Sequence, residues 1–106
     1  MLADLCVVMV SVGSEDEADA LARRLVTERL AACVQAFPVR STYTWEGELQ
    51  RDDEVLLLVK TAADRVDAVR ETVLAEHDYD VPEVVVLQVD DAAEAYARWL
   101  VEATRH

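Results

Sequence analysis

Two runs of consecutive apolar residues constrain this chain more than any other feature: CVVMV at 6–10 and VLLLV at 55–59. Side chains of a strand point alternately to its two faces, so an unbroken apolar run belongs to a strand covered on both sides, in the middle of a sheet. The segments around these runs leave few topologies. LCVVMVSV (5–12) reads as a strand. Ser14-Glu15-Asp16-Glu17 is a capping box, in which Ser14 accepts from the third helical N–H and Glu17 reaches back. It opens a helix to about Leu30, with Ala18, Leu21, Ala22 and Leu25 on one face. Residues 33–37 form a second strand, broken at Pro38 and resuming over 40–45. A third strand runs from Glu48 or Leu49 to about Lys60. Thr61 then caps a second helix that turns Val66, Val69 and Val73 to the core. After the interruption at Val81-Pro82, EVVVLQV (83–89) is a fourth strand. Asp90 or Asp91 caps a last helix with Tyr96, Trp99 and Leu100 inward.

The order β-α-β-β-α-β plus a C-terminal helix is the split βαβ, ferredoxin-like arrangement of the α+β class. Right-handed crossovers place the first and third strands in the centre of the sheet, where both apolar runs belong. The strand with Pro38 belongs at an edge, because proline cannot donate to a ladder. With 106 residues and no repeat, linker or low-complexity tract, residues 1–106 form a single domain.

The hairpin of the second and third strands is longer than that core requires. A third strand of about a dozen residues spans roughly 40 Å, whereas a domain of this size has a radius of gyration near 13 Å. The strand therefore bends over its own core, with Asp52, Asp53 and Glu54 marking the bend, or projects beyond it. On its partner, Ser41, Tyr43 and Trp45 share one face, and Arg40, Thr42 and Thr44 the other. A bare two-stranded ribbon is marginal in water. Cover from a neighbouring subunit makes Tyr43 and Trp45 candidate interface residues and implies an oligomer. The alternative is that both rings cover the chain's own helices.

The net charge is −12, and Lys60 is the single lysine. That balance argues against nucleic acid, whose binding relies on neutralised phosphates, and against anionic membranes. It fits attraction of cations, or simply solubility. The start, MLADLCVVMVSVG, lacks the basic region of a signal peptide, since the first basic residue is Arg23. No apolar run approaches the length of a membrane span. The expected location is the cytoplasm. The two cysteines agree: the third strand separates Cys6 from Cys33 by roughly 9 to 10 Å, beyond disulfide reach, so both thiols are expected free, with Cys6 a small buried hydrophobe.

Cys33, His77 and His106 are the candidate metal ligands, because thiolate and imidazole suit copper or another divalent cation. The chain has no C-x-x-C and no H-E-x-x-H. Cys33 also reads as a buried strand residue, and His77 as a histidine complementing a helix C-terminus. Ser11, Ser14 and Ser41 lack a nucleophile elbow. Gly13 and Gly47 are the only glycines, too few for a phosphate-cradling loop. The expectation is no enzyme and no organic cofactor.

Four ordered motifs carry a resemblance. LVTERLAACVQAFP (25–38), the hairpin residues Ser41, Tyr43, Trp45, Glu46 and Gly47, LLLVKT (56–61), and the loop residues His77, Tyr79, Pro82 and Glu83 together resemble the CutA family of divalent-ion tolerance proteins. Asp78 stands where that family has a proline, Gln35 where it has an asparagine, and the glycine after Pro38 is missing. The resemblance implies a homotrimer of ferredoxin-like subunits joined edge to edge, similar in architecture to PII-type signalling proteins and associated with tolerance to copper and other divalent ions. Two other roles fit the same architecture. One is a PII-like trimer holding a small anion in a cleft near Arg40 and Lys60. The other is a purely structural trimeric adaptor.

Overall fold

A computed structural model describes residues 4–105. The elements are β1 (Leu5–Val12), α1 (Glu15–Thr27), β2 (Cys33–Trp45), β3 (Glu48–Ala62), α2 (Val66–Glu76), β4 (Val84–Gln88) and α3 (Glu94–Ala103). They form an α+β fold with one four-stranded antiparallel sheet in the order β2-β3-β1-β4. The apolar runs of β1 and β3 lie side by side in its centre, with Val8 opposite Val59 and Val10 opposite Leu57.

The main core lies on one face of the sheet. Cys6, Val8, Val10, Val12, Val55, Leu57 and Val59 pack there against Ala18, Leu21 and Leu25 of α1 and Val66, Val69 and Val73 of α2. Both helices put their 3.6-period apolar stripe on the sheet. Ser14 caps α1 as its sequence requires, accepting from the Glu17 N–H at 3.2 Å. The Glu17 carboxylate reaches one residue further back than a standard box, to the Gly13 N–H at 3.0 Å. The opposite face is covered at one end only, where Ala97 and Leu100 of α3 pack on Leu5 and Ala32.

The hairpin projects. β1 pairs with β3 only over Val55–Ala62, and residues 48–54 pair with β2 alone. The fifteen residues of β3 account for roughly 50 Å at strand rise, and the molecule measures 48 × 25 × 21 Å. The strand therefore runs the whole long axis and does not fold over the core at residues 52–54. Its turn has two residues, Glu46 and Gly47, with φ of 52° and 80°. Two positive φ values match the twist of the flanking strands, the type I′ solution.

Several boundaries differ from the sequence expectations. Helix α1 stops at Thr27, not Leu30, because Arg29 takes a left-handed φ of 59° and the Leu30 and Ala31 N–H groups both fold back on the Leu25 carbonyl. Pro38 does not break β2, which is continuous through it, opposite Val55. An edge strand has one unpartnered side, where a missing N–H costs nothing. Thr61 is not a helix cap. It lies in β3 opposite Cys6, fully buried, and its hydroxyl donates to the Leu30 carbonyl at 2.6 Å. A 3-10 turn, Ala63–Arg65, intervenes before α2. Asp90 and Asp91 do not cap α3 either: the helix starts at Glu94 behind Ala93, and the Asp91 carboxylate accepts from the Ala92 N–H. Finally, Tyr96 and Trp99 are 40% and 48% exposed, whereas Ala97 and Leu100 face inward. The helix touches only the end of the sheet, so one small and one branched side chain suffice and the rings stay at the rim.

Candidate functional site

On the face of the sheet opposite α1 and α2, a cleft of ≈ 620 Å³ lies at the base of the hairpin. Strand alternation builds one wall. Ser41, Tyr43 and Trp45 of β2 share a face with Asp52 and Glu54 of β3, their register partners being Asp52 for Ser41 and Gln50 for Tyr43. The other wall is the loop between α2 and β4, with Tyr79, Asp80, Val81 and Glu83, and Ser11 of β1 lies between them.

Hydrogen bonds tie the loop to the strands. Tyr79 donates its hydroxyl to Glu54 Oε2 at 3.0 Å. Tyr43 donates to Asp52. Ser11 Oγ lies 3.4 Å from Glu83 Oε1. His77, the C-cap of α2, anchors the loop from behind: its Nε2 is 2.6 Å from the Ser11 carbonyl, and its Nδ1 accepts the Tyr79 N–H at 3.1 Å. The carbonyl can only accept, so Nε2 carries the proton and the ring is neutral in this arrangement. Burial and then the Glu54 carboxylate push the Tyr79 phenol from 10.0 to about 12. The hydrogen bond to Asp52 likewise raises the Tyr43 phenol. Gly13 makes room for this loop, since a Cβ there would sit 3.2 Å from the Tyr79 hydroxyl.

The residues singled out from sequence are scattered. His77 stands beside Ser11, while Cys33 opens β2 opposite Lys60, which in turn faces Val7. Ser11 and Val7 are four residues apart on β1, so His77 and Cys33 are separated by roughly 13 Å along the strand. Cys33 is a half-buried free thiol and Cys6 a buried one, with β3 between their strands. Among the described residues, no three His, Cys, Asp or Glu side chains converge on a metal position. His106 lies outside the described residues. Lys60 sits 5.8 Å from the Tyr96 ring centroid, a cation–π contact. Arg40 is opposite Asp53, seven residues along β2 from the strand position that faces Lys60, and on the other face of the sheet. One chain does not bring these two cations together. Tyr43 and Trp45 do meet, as the aromatic rim of the cleft.

Sequence pattern alone does not mark Glu54, Tyr79, Asp52, Ser11 and Glu83 as one site. Glu54 carried a signal: it falls in alternation with Leu56 and Leu58 and not with the core positions Val55 and Leu57. The group that hydrogen-bonds it comes from 25 residues away.

Together these features define a ferredoxin-like α+β domain with a projecting ribbon and an acidic, aromatic cleft at the ribbon's base. The chain belongs to the CutA1 divalent ion tolerance protein family, whose model matches residues 6–103. It is 46% identical over 99 residues to the divalent-cation tolerance protein CutA of Thermus thermophilus, covering 92% of this chain and 96% of that protein. It is 42% identical over 101 residues to the chloroplastic protein CutA of Arabidopsis thaliana, covering 94% of this chain. The chain spans only 56% of the length of that plant relative. The crystal structure of CutA1 from Oryza sativa superposes with a TM-score of 0.95 at 41% identity, covering 98% of this chain and 96% of the other. The Thermus thermophilus divalent cation tolerance protein gives a TM-score of 0.91 at 44% identity, covering 95% and 99%.

Proposed function

We propose that this protein is a non-enzymatic homotrimer of the cytoplasm that contributes to tolerance of divalent cations, copper among them. The observation that carries the trimer is the uncovered sheet face. Beyond the reach of α3, that face presents Val7, Met9, Leu56 and Leu58 from the central strands, with exposed Phe37, Val85 and Leu87 at the two edges. The exposed rings of Tyr43 and Trp45 continue it onto the hairpin. An apolar surface of this extent favours burial against copies of the same chain. The ion role rests on membership of a divalent-ion tolerance family and on the excess of acidic groups. A cytoplasmic location agrees with two free thiols, and among the described residues no helix is long and apolar enough to cross a membrane.

Between Cys33 and His77, the thiol of Cys33 is the better placed. A metal on His77 would displace a hydrogen bond from one of its ring nitrogens. A thiolate at the sheet edge would bind copper as a soft ligand, completed by groups from a neighbouring chain. Light scattering together with equilibrium dialysis of the apo-protein against copper, zinc and magnesium tests the reading. Three chains per particle, with copper retained by the parent and lost in Cys33→Ser, are expected. A monomer at all dilutions, or no metal retained, overturns it.

A further inference from the structure

We infer that the subunit contact joins Lys60 of one copy to Asp52 and Glu54 at the ribbon base of the next, so that a neighbouring chain fills the cleft. This contact rests on the homotrimer proposed above and specifies which charges meet in it.

Lys60 is the single lysine of the chain. Strand alternation on β3 puts Val55, Leu57 and Val59 into the core, so Leu56, Leu58 and Lys60 lie on the opposite, uncovered face. There the half-buried Lys60 has its ammonium 5.8 Å from the Tyr96 ring centroid. Among the described residues it has no carboxylate partner, since every ion pair is made by an arginine. Burying this face against a copy strips water from that ammonium, which is costly unless an acceptor arrives with the copy.

Such acceptors lie at the other end of the same face. Glu54 and Asp52 continue the alternation of Leu56, Leu58 and Lys60 along β3. Each receives a neutral tyrosine hydroxyl, from Tyr79 and Tyr43 respectively, and neither has a cationic partner among the described residues. Six and eight positions separate them from Lys60 of their own chain, roughly 20 and 26 Å at strand rise. At physiological ionic strength, charges further apart than about 8 Å are largely screened. One chain therefore carries both halves of an ion pair at opposite ends of one apolar face, too far apart to meet.

A ring of three is built from heterologous contacts, in which one patch meets a different patch of the next copy. A head-to-tail contact of this kind brings the basic end of one face to the acidic end of the next. Placing like ends together would gather the acidic groups of chains that each carry a net charge of −12. The ribbon is shaped for the head-to-tail choice. Residues 48–54 pair with β2 alone, so the ribbon overhangs its own sheet, and Tyr43 and Trp45 extend the apolar surface along it.

Sedimentation velocity of the full chain over a dilution series, at an ionic strength of about 0.15 M, tests the pairing. Lys60→Glu and Asp52→Lys should each weaken assembly at least tenfold, by setting like charges against each other across the contact. The double variant restores opposite charges and should recover most of that loss, which a merely structural role for either residue would not produce. Lys60→Arg should keep assembly close to that of the parent. Neither Lys60 nor Asp52 lies in the core, and far-UV circular dichroism should stay native in every variant. A parent that is monomeric at all dilutions overturns the trimer and this contact with it. A trimeric parent whose assembly is unchanged by Lys60→Glu, or a double variant no better than its weaker single, overturns the contact and leaves the trimer standing.

Discussion

The Tyr79 hydroxyl rests 3.0 Å from Glu54 Oε2, a bond from a loop residue to a strand residue 25 positions away. Among the described residues Glu54 is the one buried carboxylate, and the Tyr79 hydroxyl is its hydrogen-bond donor. Removing the hydroxyl leaves a buried charge short of a donor. Tyr79→Phe is expected to lower stability by about 1–3 kcal/mol. Adding Glu54→Leu should return part of that loss, because replacing both partners removes the orphaned group. Urea unfolding of the four proteins of this cycle, at one fixed protein concentration, measures the coupling. Simple additivity would mean that the contact contributes nothing.

The same bond gives alkaline pH a defined effect. The Tyr79 phenol is raised from 10.0 to about 12, by burial first and by Glu54 second. Between those values the folded chain keeps a proton that the unfolded chain has released. The folded state is therefore favoured by the full amount below pH 10, and this contribution is lost as pH rises toward about 12. Absorbance near the phenolate band should show Tyr79 ionising last, and Tyr79→Phe should remove that latest step. A late step that persists in the variant would assign it to Tyr43.

At the hairpin tip, Glu46 holds a positive φ of 52° beside Gly47. Asn-Gly is the favoured pair for such a turn. Glu46→Asn is expected to stabilise the ribbon by up to about 1 kcal/mol, since asparagine adopts the left-handed region with less strain. The melting temperature should rise slightly, with the circular dichroism spectrum unchanged. A fall would show that the Glu46 side chain makes a contact in the assembled particle.

Thr61 offers a test inside the core. Its buried hydroxyl donates to the Leu30 carbonyl at 2.6 Å and so closes the loop after α1. Thr61→Val keeps the shape and removes the donor. It should cost about 1–2 kcal/mol in urea unfolding, the cost of one unsatisfied buried acceptor. Leaving stability untouched would mean that water reaches the carbonyl.

The uncovered sheet face supplies the fifth test. Leu58 lies on it, half-buried in the single chain. Leu58→Asp should reduce the particle to monomers while far-UV circular dichroism stays native, because the change falls opposite the α1–α2 core. A particle of unaltered mass in light scattering would place the subunit contact elsewhere. Trp45→Ala, which truncates a 43% exposed ring, should weaken assembly by about 2 kcal/mol or more if that ring anchors the interface.

Local pattern alone determined much of this protein. The unbroken apolar runs of β1 and β3 required central strands, and with the element order they required the sheet β2-β3-β1-β4. Ser14 and Glu17 determined where α1 begins, and the length of β3 against so small a core required a hairpin that bends or projects. These features depend on periodicity, capping and strand rise, which act over a few residues. What the sequence did not determine depends on neighbours distant in the chain. Thr61 looks like a helix cap until β3 is seen to run on to Ala62 and bury it under Leu30. Tyr96 and Trp99 look like core until α3 is seen to meet the sheet only at its end. The cleft belongs to this second class. Ser11, Glu54, Tyr79 and Glu83 come from two strands and one loop, and each alone is an ordinary polar residue. Only antiparallel pairing, which carries Glu54 to the base of the ribbon, and the His77 anchor, which turns Tyr79 over it, make them one site.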